Sequence, residues 1–301
     1  MTLPRIPIGD GVAVAIRWIK DNLDGLLDLF TFVTVTLTDG LASLLLFPHF
    51  LVVTLVAAML AWLVRSWQLA VGTAITFGLI ASMQMWVPAM QTLALVLVAT
   101  LIAVVIALPL GVLAARNDRF SAVLKPVLDL MQTMPVFVYL IPAVIFFSLG
   151  YAPGVFATVL FALPPGVRFT ELGIRGVDAE TVEAGRAFGA TPGQILRGVQ
   201  LPLAMPTIMA GINQVIMLAL SMAVVAGMVG ADGLGKQVTA ALATLNVPQG
   251  VEAGLSVVFL AIVLDRLTAA LGTPRDYPRS LLGMWAAARA AARDAANAVA
   301  A

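Results

Sequence analysis

Residues Gly230-Ala231-Asp232-Gly233-Leu234-Gly235-Lys236 have the spacing of a phosphate-binding loop. In such a loop glycine amides cradle a phosphate and a lysine reaches it. The chemistry also needs a hydroxyl after the lysine to hold Mg²⁺, and Gln237 stands there. No strand-like run precedes the motif, so the plainer reading is a glycine-rich turn at the end of an apolar helix. His49 is the sole histidine, and cysteine is absent. Disulfides and Cys-based metal sites are thereby excluded, and Ser–His or Cys–His catalysis has little to be built from. An intramembrane hydrolase finds no Gly-x-Ser-x-Gly motif to use. Polar residues inside apolar runs are costly and point to function by default. Gln132, Thr133, Asn213, Gln214 and Ser221 are of this kind, with Met134 and Met217 near them, and all are candidates for a solute path. Interhelical hydrogen bonds, worth about 0.6 kcal/mol each, are the favoured account of any one of them. Asn213 and Gln214 are adjacent and cannot face the same way on a helix.

These residues sit in a chain of 301 residues that is 61% hydrophobic and 11% charged, with mean hydropathy +1.01. Soluble domains are nearer about half apolar and a quarter charged. Apolar surface on this scale has no aqueous core to enter, which makes lipid the solvent. Seventeen Lys and Arg nearly balance sixteen Asp and Glu. Without a basic block, nucleic acid is not a partner.

A membrane helix needs about 20 mostly apolar residues. Runs at 43–64, 69–87, 92–114, 130–150, 152–167, 203–229 and 251–271 supply about seven spans of an all-α integral membrane protein. The 152–167 run is short and ends at Pro164-Pro165. Residues 12–30 read as an amphipathic helix, with Val12, Ile16 and Ile19 on one face and Arg17, Lys20 and Asp24 on the other. The chain thus divides into an extracytoplasmic or interfacial segment 1–40, two accessory spans in 41–90, a core 91–272 and a tail 273–301. Seven spans place Arg65, Arg116, Arg119, Lys125, Arg168, Arg175, Arg186, Arg197 and the five arginines from Arg266 to Arg293 on one side. That is thirteen of the seventeen basic residues, which makes this side cytoplasmic, with the N-terminus outside and the C-terminus inside.

The connection 168–202 is polar yet shows Val182, Ala184, Phe188 and Ile195, apolar groups that need a partner surface or the underside of the bundle. Asp178 can cap a helix over 179–188, Gly189 can end it in a left-handed conformation, and Thr191-Pro192 can start a second. Pro202 then opens the next span.

Glu183-Ala184-Gly185, three residues, Gly189, nine residues, Val199, one residue and Leu201-Pro202 resemble the EAA loop of binding-protein-dependent ABC importers. Gly185 and Val199 stand where the family form has alanine and isoleucine. Segments 129–150, 161–176 and 200–235 are similar to the permeases of glycine betaine, proline betaine and choline importers. The resemblance implies a type I importer permease with a five-helix core in 91–272. It implies that Glu183, Ala184, Gly185, Phe188, Gly189, Ile195, Leu201 and Pro202 couple the loop 178–202 to cytoplasmic ATPase subunits. It further implies a homodimer in the inner membrane and an extracytoplasmic substrate-binding protein. ATP and Mg²⁺ would be bound by the partner, with no cofactor or catalysis on this chain. An ATP-independent secondary transporter is the alternative, but the spans hold no convincing carboxylate pair for ion coupling; Asp129 and Asp265 fall near span ends.

The charge bias generates a direct test. A single cysteine at Asp21 should react with an impermeant thiol reagent on intact cells, and one at Ala190 should not. The reverse pattern overturns the orientation.

Overall fold

The computed structural model describes residues 8–272 together with residues 277, 280 and 281. Most of the expected tail over 273–301 lies outside these residues. Among the described residues every regular element is a helix. The amphipathic run expected over 12–30 is divided at Leu23 into α1 (Ile8–Asn22) and α2 (Asp24–Leu46). Asn22 donates its side-chain amide to the carbonyl of Trp18 at 2.8 Å, and Asp24 opens α2 with a negative charge at its positive end. The 43–64 run is divided as well, because Phe47-Pro48-His49 separates α2 from α3 (Phe50–Val64). His49 caps α3 by accepting from the Leu51 N–H at 3.4 Å. A second short apolar helix, α4 (Trp67–Ser82), packs back on α3.

The remaining chain is α5 (Trp86–Arg116), α6 (Asp118–Thr133), α7 (Val136–Phe147) and α8 (Tyr151–Arg175), then α9 (Ala179–Ala187) and α10 (Pro192–Ile195). A π-helical turn, Leu196–Gln200, leads into α11 (Leu201–Ala226), which is followed by α12 (Leu234–Thr244) and α13 (Val247–Gly272). Helix α2, α5, α8, the stretch Pro192–Val229 and α13 are each long and apolar enough to cross a membrane. Helices α6 and α7 qualify together but bend by 95°, and α3 and α4 are shorter apolar helices. The all-α membrane architecture is therefore present, but among the described residues five helices, or six with the bent pair, are long enough to cross where about seven spans were expected, and α2 is an apolar helix where an interfacial segment was expected.

Helix α8 does not end at Pro164-Pro165. It runs through both prolines for 25 residues. An interior proline costs a hydrogen bond and a clash with the preceding turn. Here both prolines are buried between α5 and α11, whose packing holds the helix together. Small residues permit that approach: a Cβ on Gly166 would lie 2.9 Å from Ala107 and 3.1 Å from Val215, and one on Gly211 would lie 2.5 Å from Phe169.

The two ends of the bundle differ in chemistry. One end gathers the turns 148–150 and 227–235. The Gly150 N–H donates to the Val229 carbonyl at 2.9 Å, and the Leu234 N–H donates to Thr92 Oγ1 at 2.7 Å. Gly227 and Gly235 cross backbone to backbone: a Cβ on the first would lie 2.2 Å from the carbonyl carbon of the second. Lys236 is paired with Asp232 at 2.7 Å. The motif that resembles a phosphate loop is thus a packed turn in which the amides of Gly230, Ala231 and Leu234 donate to protein acceptors. The opposite end is rich in charge. There Arg65 donates to the Arg266 carbonyl at 3.3 Å and lies over the Tyr277 ring, so two arginines assigned to one side by charge bias do meet.

Gly235→Ala should destabilise the protein, since a Cβ there would lie 2.3 Å from the Ala223 carbonyl oxygen. The expected cost is about 1–3 kcal/mol, a fall on the order of 5 °C in the unfolding midpoint in detergent. Gly78→Ala, with nothing within 4 Å, should leave the midpoint level or raised.

Candidate functional site

Between α8 and α11 the chain builds a small knob on the charged end. Two residues, Gly176 and Val177, separate α8 from Asp178, whose carboxylate accepts from the Glu180 N–H at 3.3 Å and caps α9. Gly189 has φ +80°, the left-handed conformation that a side chain resists. Thr191 and Gln194 form a reciprocal capping box around Pro192. The helix boundaries read from these residues are therefore present. Pro202 falls in the first turn of α11, as expected, but that turn is not a fresh start. Helix α10, the π turn and α11 run on without a break. The wider π turn absorbs the missing N–H and the ring of Pro202.

The apolar residues of the knob divide into two groups. Ile195 is buried, and a Cβ on Gly185 would lie 3.5 Å from its Cγ1, so α9 rests on Ile195 through Gly185. Leu196 is buried with Ile174, Ala204 and Ile208, against which half-buried Leu201 and Val177 pack. These residues form the base of the knob. Phe188 is 92% exposed and presents its ring outward, beside exposed Glu183, Ala184 and Gly189. Pro202 is exposed as well. The surface available to a partner is thus Glu183, Ala184, Phe188 and Gly189, with Pro202 also exposed, while Gly185, Ile195 and Leu201 hold that surface in place.

Just below the knob lies a residue that sequence reasoning missed. Glu171 is 6% exposed, one turn before the end of α8. It accepts from Ser121 Oγ at 2.7 Å and pairs with Arg175 Nε at 2.9 Å and Lys125 Nζ at 3.7 Å. Arg175 also reaches Asp118 at 2.7 Å and the Ala114 carbonyl at 2.7 Å. Asp129 of α6 pairs with Arg168 of α8. The i,i+4 spacing of Glu171 and Arg175 was the available signal, hidden because α8 was expected to end before it.

The solute-path candidates separate. Asn213 donates to Asp265 at 2.9 Å and accepts from Thr268, which makes it a link between α11 and α13. Gln214 and Ser221 are exposed, and Met217 is half-buried. Their spacing puts these three on one stripe of α11; Met217 packs partly against the core, while Gln214 and Ser221 are exposed among the described residues. Gln132 and Thr133 are exposed at the bend between α6 and α7. Met134 packs against a cluster of Tyr139, Leu140, Ala157, Met222 and Val229. Among the described residues no hydrogen bond joins the α6 group to the α11 group.

Comparison with known proteins identifies the family and the fold. The family model described as binding-protein-dependent transport system inner membrane component matches residues 107–273. The glycine betaine transport system permease protein OpuAB of Bacillus subtilis is 47% identical over 88% of this chain and 94% of its own. The glycine betaine/proline betaine permease ProW of Escherichia coli is 44% identical over 89% of this chain and 75% of its own. The glycine betaine/carnitine permease GbuB of Listeria monocytogenes is 45% identical over 89% and 96%. Among solved structures, an inward-facing MetNI methionine ABC transporter chain superposes with TM-score 0.58 at 23% identity, covering 64% of this chain and 96% of that one. That superposition speaks to the fold.

Burial within the knob predicts a split in stability. Ile195→Ala should destabilise by about 2–5 kcal/mol, whereas Phe188→Ala should stay within about 0.5 kcal/mol of the parent. Gly185→Ala should be tolerated, because its Cβ meets Ile195 at an ordinary distance and alanine favours helix by about 1 kcal/mol. Thermal unfolding in detergent measures all three.

Proposed function

We propose that this chain, which belongs to the binding-protein-dependent transport system inner membrane components, is the permease subunit of an ATP-driven importer of quaternary-ammonium compatible solutes. Glycine betaine, proline betaine and choline are the solutes in view, since relatives at 47% and 44% identity are named for glycine betaine and for glycine betaine/proline betaine transport and one at 33% for choline. The observation that carries the importer reading is the capped knob with Phe188 outward on the charged end of the bundle. A rigid, partly apolar projection on a polar face suits the cleft of a cytoplasmic ATPase. Glu183 supplies a charge that a partner arginine can engage.

On this reading the charged end faces the cytoplasm and the glycine-lined end faces the substrate-binding protein. ATP and Mg²⁺ are held by two ATPase subunits, and a second copy of this chain completes the path. The α11 stripe of Gln214, Met217 and Ser221 would then face the partner copy, with Gln132, Thr133 and Met134 bordering it. Asn213 positions α11 and does not line the path. Solute moves by alternating access as ATPase closure draws the two knobs together. An ion-coupled carrier would need a carboxylate free to exchange its ion, and Glu171 is engaged by Arg175 and Ser121.

The test is uptake of radiolabelled betaine, proline betaine and choline into vesicles holding this chain with its ATPase and binding protein. Uptake should require ATP. Glu183→Lys and Gly189→Asp should each lower it at least tenfold, while the membrane subunit still inserts and dimerises. The second change forces a side chain into the left-handed region, at about 1–2 kcal/mol. ATP-independent uptake, or parental uptake in both variants, overturns the assignment.

A further inference from the structure

The geometry points to Glu171 as the joint that carries displacement of the knob to α6 and the α6–α7 bend. It is a positioning residue that does not contact solute. This inference rests on the importer reading above.

Glu171 lies four residues before Arg175, and only Gly176 and Val177 separate Arg175 from the cap of the knob. A movement of α9 therefore reaches Glu171 through one continuous helix end. What Glu171 holds lies on another element. Ser121 and Lys125 both belong to α6, and Arg175 extends the same network to Asp118, in the first turn of α6. A carboxylate this buried needs its partners, because its charge has little water to turn to. The α6 residues it engages are thus obliged to follow it.

The other attachments of α6 are few: the Asp129–Arg168 pair, which also ties it to α8, and one apolar seam. Leu128 is buried against Ala107, Leu163 and Val167, with Leu124 and Met131 alongside. The adjoining face, Val123, Val127 and Leu130, is exposed. At its far end α6 leads into the 95° bend, where Gln132 and Thr133 are uncovered. A lever fixed by charge to the base of the knob, with polar groups at its tip, can couple closure of the ATPase to opening beside the path.

The experiment uses the complete complex in vesicles and reads solute moved per ATP hydrolysed. Glu171→Gln should assemble with the ATPase and hydrolyse ATP at near-parental rate, while solute moved per ATP falls about tenfold. Lys125→Gln, at a mostly exposed position, should give a smaller fall in the same ratio and covers the case in which the first variant fails to assemble. A purely structural role would lower complex yield and leave the ratio unchanged. Because cysteine is absent, Ser121→Cys with Glu171→Cys can be bridged by a short bifunctional thiol reagent. Bridging should recover part of the lost ratio, since the joint is again rigid. A parental ratio in Glu171→Gln and Lys125→Gln, or abolition of transport by the bridge, overturns the inference. Absence of ATP-driven uptake by the parent complex would instead sink the importer reading, and this one with it.

Discussion

The close approach of α8 to α5 and α11 is the contact on which the rest of the molecule depends. In lipid no hydrophobic force drives helices together, so association relies on how near the backbones can come. Gly111, Gly166 and Gly211 are placed where any side chain would collide with the neighbouring helix. That proximity yields a helix buried along most of its length, in which two consecutive prolines are tolerated because the surrounding helices hold the strained turn. Loosening this packing would cost the continuity of α8, and with it the placement of everything at its end.

The knob inherits its position from this arrangement. It is the crossing between α8 and α11, the two most intimately packed helices, with two unstructured residues on one side and a π turn on the other. Ile195 and Leu196 tie it to the bundle from within, so its orientation is set by the core. Glu171 and Arg175 sit at the same junction and reach outward to α5 and α6. One short stretch of α8 thus serves as the base of the knob and the anchor of a neighbouring helix.

Much of this was legible in the sequence, and the reasons for the failures are specific. The caps of the knob were readable because Asp178, Gly189 and Thr191 act through their own neighbours. The dismissal of the phosphate-loop resemblance was also local, resting on Gln237. The end of α8 was not readable, because Pro164-Pro165 is a stop signal that only tertiary packing overrides. Once the helix was cut short there, Glu171 fell into a supposed loop, where a charge needs no explanation. Ile195 and Phe188 are alike in the sequence as apolar residues of a polar connection. Which one turns inward depends on the path of α9 over α10, a three-dimensional fact. Helix α2 was missed because charged residues on one face of α1 obscured where the apolar run begins.

The two ends of the bundle are built from interactions with different ranges, and this bears on how such a molecule can move. At the glycine-lined end, backbones touch at Gly227 and Gly235, and the hydrogen bonds of Gly150 and Leu234 lock α5 and the start of α8 to them. Contacts of this kind are lost over a fraction of an ångström, because dispersion and hydrogen bonding both fall steeply with distance. At the charged end the neighbours are long side chains: Arg175 to Asp118, Lys125 to Glu171, Arg168 to Asp129. Coulomb attraction falls only as the inverse of distance, and long side chains can extend to keep it. A displacement that would rupture the first end can be followed by the second. The charged end is also the end that carries the knob, so the compliant interactions stand where a force from a partner would be applied.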